Sequence, residues 1–184
     1  MYAIVMGFIG TFALFDFSIS ASFIKFISEH YNKNQTESLN KIINTGLFFY
    51  IGFTSLVCLI VVFFSAPILG LINIPDNLHS LAEFSLYISL IIFFLATSST
   101  IFISILISIQ KMYLNSLIGL GINILNFVST YFLLTMGYGL KGVLYSQLAA
   151  VTVSVFFNIV LSFREIPQMK ISIRYLDKLS FKSM

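Results

Sequence analysis

Residues 16–29 read DFSISASFIKFISE and lie at the end of an otherwise apolar stretch, 2–28. A membrane-spanning helix needs about 20 mostly apolar residues, and this stretch is long enough. Asp16 stands halfway along it and Lys25 near its far end. On insertion scales an Asp or Lys at a helix centre costs roughly 2.5–3.5 kcal/mol. Because such residues normally face protein or water and serve a function, the stretch predicts a membrane helix that carries functional charges.

The composition indicates a polytopic membrane protein. The chain has 184 residues, of which 58% are hydrophobic and only 9% are charged, whereas soluble domains carry about 25% charged residues. The net charge of +3 is small and scattered, which argues against binding to nucleic acid. The single cysteine, Cys58, lies in an apolar run, so we expect a small packed residue and no internal disulfide. We therefore predict an all-α, polytopic transmembrane helix bundle.

Five apolar stretches are long enough to span a bilayer. They are residues 2–28, 44–70, 81–109, 114–136 and 140–163. Short polar connectors separate them, so the predicted transmembrane bundle covers residues 1–163. The remaining residues, 164–184, are polar with interleaved apolar positions and predict a cytoplasmic or interfacial linker.

The basic residues predict the orientation of these spans. Nine of the ten fall on one side of the predicted membrane: Lys25, Lys33, Lys41, Lys111, Arg164, Lys170, Arg174, Lys178 and Lys182. Only Lys141 falls on the other side. Since cytoplasmic connectors carry the excess of Lys and Arg, we expect the C-terminus in the cytoplasm and the N-terminus outside the inner membrane. No charged residue precedes the first span to fix its direction, so we also expect a preceding helix, which would make this chain a fragment.

Polar side chains form stripes on the later spans. Asn123 and Asn126 share one face of the fourth span, and Asn158 lies on a face of small and polar residues in the fifth. Such stripes fit either helix packing through small residues and interhelical hydrogen bonds or a hydrated cavity within the bundle. Lys25 likewise fits either a site in the cavity or a side chain that extends to the cytoplasmic interface. Asp16 and Lys25 lie roughly 13 Å apart along the axis and half a turn apart, so they cannot pair on a straight helix.

The sequence shows no pattern typical of a metal site, a nucleotide-binding loop or a catalytic triad. The two histidines, His30 and His79, fall in connectors on opposite sides of the predicted membrane, and no Gly-rich loop joins a strand to a helix. No Ser/His/Asp set could meet at one membrane face. We therefore expect no metal, no cofactor and no catalytic residue, and we predict that the protein is not an enzyme.

The run LFDFSISASFIKFISEHYNKNQTESLNKIINTGLFF, residues 14–49, resembles the second helix, cytoplasmic loop and third helix of bacterial polysaccharide flippases. These are the O-antigen and capsule exporters of the multidrug/oligosaccharidyl-lipid/polysaccharide superfamily. The matching positions are Asp16, Phe17, Lys25, Phe26, Glu29 and Tyr31. Ser18 stands where the family usually has Gly, and the NIPDN, IQKMYLN and GYGLKGV segments also resemble the family.

The resemblance implies a fold of two six-helix lobes, of which this chain is helices two to six of the first lobe plus the linker. It implies a substrate, an undecaprenyl-diphosphate-linked oligosaccharide, that is flipped across the inner membrane for O-antigen, lipopolysaccharide, capsule or exopolysaccharide biosynthesis. Membrane lipid and a second lobe are the other implied partners. By position, Lys25 would contact the diphosphate and Asp16 would serve coupling or gating. Asn123, Asn126 and Asn158 are candidate substrate-binding residues from helical phase.

Three alternatives stay open. One is a cation-coupled multidrug exporter of the same superfamily. Another is a membrane glycosyl polymerase or acyltransferase, which the short outer connectors, about 71–80 and 136–141, argue against. The third is a structural membrane subunit without transport, which the charge of Asp16 in mid-span argues against.

Overall fold

The computed structural model describes residues 19–71, 75 and 78–172, and within them the regular secondary structure is entirely helical. The first helix, α1, covers residues 19–32. The others are α2 (Thr36–Phe63), α3 (Ser65–Leu71), α4 (His79–Ser98), α5 (Thr100–Ser108), α6 (Met112–Thr135) and α7 (Gly139–Glu165). The prediction of an all-α bundle is confirmed.

Four helical stretches in the described residues are long and apolar enough to cross a membrane. They are Thr36–Phe63, His79–Ser108, Met112–Thr135 and Gly139–Glu165. The prediction of a polytopic bundle is therefore confirmed, whereas most of the predicted first span, 2–28, lies outside the described residues. In the region predicted as 44–70, α2 begins earlier, at Thr36, and ends at Phe63, after which the short α3 follows.

One end of the bundle gathers the start of α2, the start of α6 and the end of α7. Thr36 Oγ1 donates to Gln168 Oε1 at 2.7 Å, which joins the start of α2 to the segment after α7. Lys111, just before α6, forms an ion pair with Glu165, the last residue of α7. We call this the basic end, because Lys33, Lys41, Lys111 and Arg164 lie there. It is the end that the sequence predicts to be cytoplasmic.

The buried core consists of two clusters stacked along α2. The cluster nearer the basic end joins α1, α2, α5 and the segment after α7, with Ile27, Ile43, Ile101 and Ile105 fully buried. The second cluster joins α2 to α4, and it contains Val57, Val61, Leu86, Leu90 and Phe93. The α4–α5 stretch thus lies between α2 on one side and α7 on the other.

Gly46 allows α1 and α5 to approach α2 closely. A Cβ atom at this position would lie 2.6 Å from Cδ1 of Ile101 and 2.9 Å from Cε1 of Phe23. Small residues at helix contacts of membrane proteins permit such approach. Gly46 therefore fixes where three helices of the basic-end cluster meet.

The α4–α5 stretch is interrupted once, at Ser99. The Ser99 N–H donates to the carbonyl oxygens of both Leu95 and Ala96 at 3.2 Å, and Ser99 Oγ donates to Ala96 O at 2.7 Å. A serine hydroxyl that bonds a carbonyl of the preceding turn competes with the helical ladder and bends the helix. The interruption coincides with this bond, and neither Pro nor Gly lies at this position.

The helix α6 lies at the margin of the bundle. It contributes no buried residue and packs mainly on α7. The turn between the two helices uses Gly137 (φ 85°) and Gly139 (φ 54°), both in the left-handed region that glycine adopts at low cost. The α6–α7 pair is therefore a helical hairpin whose outer side is apolar and exposed, as contact with lipid requires.

Candidate functional site

Lys25 lies on the exposed side of α1. Phe23 and Ile27, one turn apart, are buried against the core, and Lys25 is roughly half a turn away from them. Its Nζ atom lies 5.9 Å from the centroid of the neighbouring Phe26 ring, within range of a cation–π interaction. The structure thus presents this ammonium group away from the core.

No carboxylate of the described residues forms an ion pair with Lys25. The nearest acidic residue along α1, Glu29, accepts a hydrogen bond from Lys33 at 2.6 Å. That hydrogen bond and the charge of Lys33 hold the pKa of Glu29 below its usual value. Among the described residues, Glu29 therefore pairs with Lys33 rather than with Lys25. Asp16, the candidate coupling or gating residue, lies outside the described residues.

Asn126 takes part in a hydrogen-bond cluster between α6 and α7. Ser146 Oγ lies 2.7 Å from Asn126 Oδ1 and 3.0 Å from Asn126 O. Thr130 Oγ1 lies 2.9 Å from Ser146 Oγ and 3.3 Å from Asn126 Oδ1, and Ser129 Oγ lies 2.7 Å from Ser146 Oγ. Because a serine hydroxyl has one proton and two lone pairs, Ser146 donates to Asn126 and accepts from Ser129 or Thr130. In this conformation Asn126 serves the contact between two helices.

Asn123 and Asn158 lie in opposite environments. Asn123 is exposed on α6, three residues before Asn126. Asn158 is 1% exposed, and its Nδ2 atom donates to Ser154 O at 2.9 Å. The Oδ1 atom of Asn158 is buried and has no hydrogen-bond partner among the described residues. An unpartnered buried acceptor is costly, so a water molecule or a ligand hydroxyl would find a ready partner there.

The candidate residues within the described part of the chain lie on three helices, α1, α6 and α7. Lys25 lies on α1, Asn126 in the α6–α7 contact and Asn158 on α7, one turn before Ser162, which donates to Phe102 O of α5 at 3.1 Å. No hydrogen bond within 19–71 and 78–172 joins Lys25 to any of the three asparagines. Their assignment as one substrate site remains a prediction.

A polar cavity of about 250 Å³ opens at the basic end. It lies between the α1–α2 turn and the residues that follow α7, and its walls include His30, Tyr31, Gln35, Thr36, Glu165 and Gln168. Glu165 also pairs with Lys111, and this hydrogen bond raises the pKa of the lysine. Sequence patterns did not indicate this cavity, since its walls come from segments more than 120 residues apart along the chain.

Two residues that the sequence analysis did not single out also organise the basic end. Asn40 and Asn44, 3% and 0% exposed, hold the main chain of residues 168–172 through their side-chain amides. Their spacing of four residues at the polar start of a span was a visible signal. Their partner is a backbone far along the chain, which no side-chain pattern reveals.

An all-helical bundle with four helices of spanning length defines a multi-pass membrane protein. The family model MatE matches residues 1–132, which include Lys25, Asn123 and Asn126. The chain therefore belongs to the MatE family, within the MATE/multidrug-oligosaccharidyl-lipid-polysaccharide exporter superfamily, whose members are transporters. The superfamily resemblance inferred from residues 14–49 is confirmed. No curated protein and no solved structure matches the chain.

Proposed function

We propose that this chain is part of a flippase that exports an undecaprenyl-diphosphate-linked oligosaccharide across the inner membrane, for O-antigen, capsule or exopolysaccharide biosynthesis. Its family supports export, and the resemblance of residues 14–49 to polysaccharide flippases supports this branch. The observation that carries the proposal is Lys25, an exposed cation of a membrane bundle with no ion pair to a described carboxylate. A diphosphate is an anion, and a lysine ammonium group is a common phosphate ligand.

The position of Lys25 suits the entry of such a substrate. It lies eight residues before the polar turn that joins α1 to α2, which is about 12 Å along the helix axis. In the predicted orientation this is the cytoplasmic side, where the lipid-linked oligosaccharide would be loaded. The exposed amide of Asn123 is then the carboxamide available to a sugar hydroxyl. Asn126 and Asn158 are proposed contacts that require the α6–α7 or α5–α7 packing to open.

The test is a flipping assay with the whole transporter in proteoliposomes, using a fluorescent undecaprenyl-diphosphate oligosaccharide. Because hydrogen bonds to charged groups contribute about 1.5–3 kcal/mol, Lys25→Gln should slow flipping by roughly 10- to 150-fold. Lys25→Arg, which keeps the charge, should retain most of the rate. The matched control is Lys33→Gln, since Lys33 is already paired with Glu29. If Lys25→Gln flips at the wild-type rate, Lys25 does not bind the diphosphate.

The second candidate function is a cation-coupled multidrug exporter of the same superfamily. Asp16 favours it, because an acid within a predicted span would attract a cationic drug or a coupling ion. Efflux of a cationic dye in the absence of lipid flipping would establish this alternative, and neighbouring genes for glycosyltransferases would argue against it. In either case we propose that Asp16→Asn lowers export without lowering protein abundance.

The proposed transport also needs a partner. Alternating access by rocking requires a second set of helices that moves against this bundle. We propose that a second lobe, on the same or another chain, supplies the remaining half of the substrate pathway. Substrate, surrounding membrane lipid and this lobe are then the partners of the chain.

A further inference from the structure

The segment that follows α7 folds back onto α2. We call residues 166–172 the strap. Residues 166–169 form a turn, in which the Met169 N–H donates to Ile166 O at 2.9 Å, and the main chain of residues 168–172 runs beside the first three turns of α2. Non-helical backbone near a membrane is tolerated only where protein or water satisfies its polar groups. The main-chain N–H and C=O groups of the strap therefore need hydrogen-bond partners.

Two side chains of α2 bind the strap through its backbone. Asn40 donates from Nδ2 to Gln168 O at 3.1 Å and accepts at Oδ1 from the Lys170 N–H at 2.8 Å. Asn44 donates from Nδ2 to Lys170 O at 2.7 Å and accepts at Oδ1 from the Ser172 N–H at 2.8 Å. Each carboxamide thus uses both its donor and its acceptor on the main chain.

The spacing of the two asparagines matches the spacing of the strap. Residues four apart on a helix rise about 6 Å, and two residues of extended chain advance about 6.6 Å. One carboxamide therefore meets residues 168 and 170 while the next meets 170 and 172. On the strap these bonds involve only main-chain atoms, so they hold the segment in this register whatever side chains it carries at those positions.

The side chains of the strap make further attachments. Ile166 and Met169, 4% and 5% exposed, insert into the cluster nearer the basic end. The side chain of Gln168 accepts a hydrogen bond from Thr36. Pro167, Gln168, Lys170 and Ile171 are exposed. Segments with few buried contacts open at lower free energy than packed helices, so the strap can leave α2 while the bundle stays folded.

We propose that the strap is a latch, which is seated when the basic ends of α2 and α7 are together and unseats as one unit when they separate. Partial release would leave buried amide groups unpaired, which disfavours intermediate positions. The polar cavity beside Thr36 and Gln168 lets water reach the strap and solvate the groups that release exposes. The latch does not depend on which substrate the transporter carries.

A cysteine in place of a buried strap side chain reports on seating. The whole protein, with Cys58→Ala and Met169→Cys, is treated in native membranes with a small permeant maleimide. Asn44→Ala, and separately Asn40→Ala, should raise the labelling rate at position 169 by about tenfold or more, because each removes two of the bonds that hold the strap. The matched control, Asn123→Ala, removes an exposed asparagine on α6 and should leave the rate unchanged.

A second reporter separates latch release from unfolding. Leu144→Cys places a thiol at a fully buried position of α7 far from the strap, and it should stay unreactive in the asparagine variants. Unchanged labelling at position 169 in Asn44→Ala would overturn the proposal, and so would an equal rise at both positions. Hydrogen exchange tests release as a unit: the amides of Lys170 and Ser172 should exchange at the same rate, and a tenfold difference would also overturn it.

Discussion

A methyl group at Gly46 should weaken the packing of α1 and α5 on α2. The new Cβ atom of Gly46→Ala would lie 2.6 Å from Ile101 Cδ1 and 2.9 Å from Phe23 Cε1. Both neighbours are buried, at 0% and 2% exposure, so neither can retreat into open space. Overpacking of this kind costs about 1–3 kcal/mol, and the higher helix propensity of Ala returns at most about 1 kcal/mol. We expect a net loss of up to about 2 kcal/mol in the free energy of unfolding.

Gly52→Ala on the same helix is the matched control. A Cβ atom at Gly52 would have no neighbour within 4 Å, so this variant should be as stable as wild type or more stable. The two variants should therefore differ by about 2 kcal/mol, or roughly 30-fold in the unfolding equilibrium constant. Equilibrium unfolding in mixed micelles with rising denaturing detergent, followed by pulse proteolysis, measures the difference.

A compensating change sharpens this experiment. Ile101→Val removes the Cδ1 atom that the new methyl group would meet, so it should recover part of the stability that Gly46→Ala loses. If Gly46→Ala is as stable as Gly52→Ala, the three helices do not approach as closely as the structure shows, and the reasoning is refuted.

Three further predictions concern polar contacts and orientation. Ser146→Ala and Asn126→Ala should show a coupling of about 0.6–1.7 kcal/mol in a double-mutant unfolding cycle, and additive effects would contradict their hydrogen bond. Lys111→Glu should destabilise the protein, and adding Glu165→Lys should restore it. Glu165 raises the pKa of Lys111. The stability that this ion pair adds is therefore present below the unfolded pKa of lysine, near 10.4, and is lost as the pH rises through the higher folded pKa. Unfolding midpoints measured from pH 8 to 11.5 can follow this loss. Finally, Lys141→Cys should react with an impermeant thiol reagent in intact cells and Lys111→Cys should not; the reverse would invert the predicted orientation.

The helical nature of the bundle could be predicted because long apolar runs with short polar connectors leave few other structures for a chain in lipid. Helix ends were harder to place. The first turns of α2 contain Glu37, Asn40 and Lys41, and these polar residues predicted a connector rather than a helix. Hydropathy does not show that the strap covers some of these polar side chains. The interruption at Ser99, where the hydroxyl bonds Ala96 O, could not be predicted either, because similar hydroxyl bonds at Thr54 and Ser85 lie within unbroken helices.

The candidate site was predictable to a smaller degree. The position of Asn126 along its helix placed it on a polar face, and the structure joins its Oδ1 atom to Ser146 Oγ of the neighbouring helix at 2.7 Å. The position of a residue around its helix could not predict that Asn123, on the same face as Asn126, would be exposed, or that Asn158 would be buried. Exposure depends on which helices become neighbours, and that is a property of the whole bundle.

The strap also has a consequence for biosynthesis. The α6–α7 hairpin closes through groups 16–20 residues apart, so it can assemble while the chain is still emerging from the insertion machinery. The main-chain groups that Asn40 and Asn44 bind lie 126–130 residues later in the sequence, so they are translated much later. Until residues 168–172 have been made, both amides of α2 lack these partners, so a late segment of the chain completes a helix that was inserted early. Nascent chains arrested before and after this point should differ in protease resistance at the start of α2, and equal resistance would mean that the early helix is finished without them.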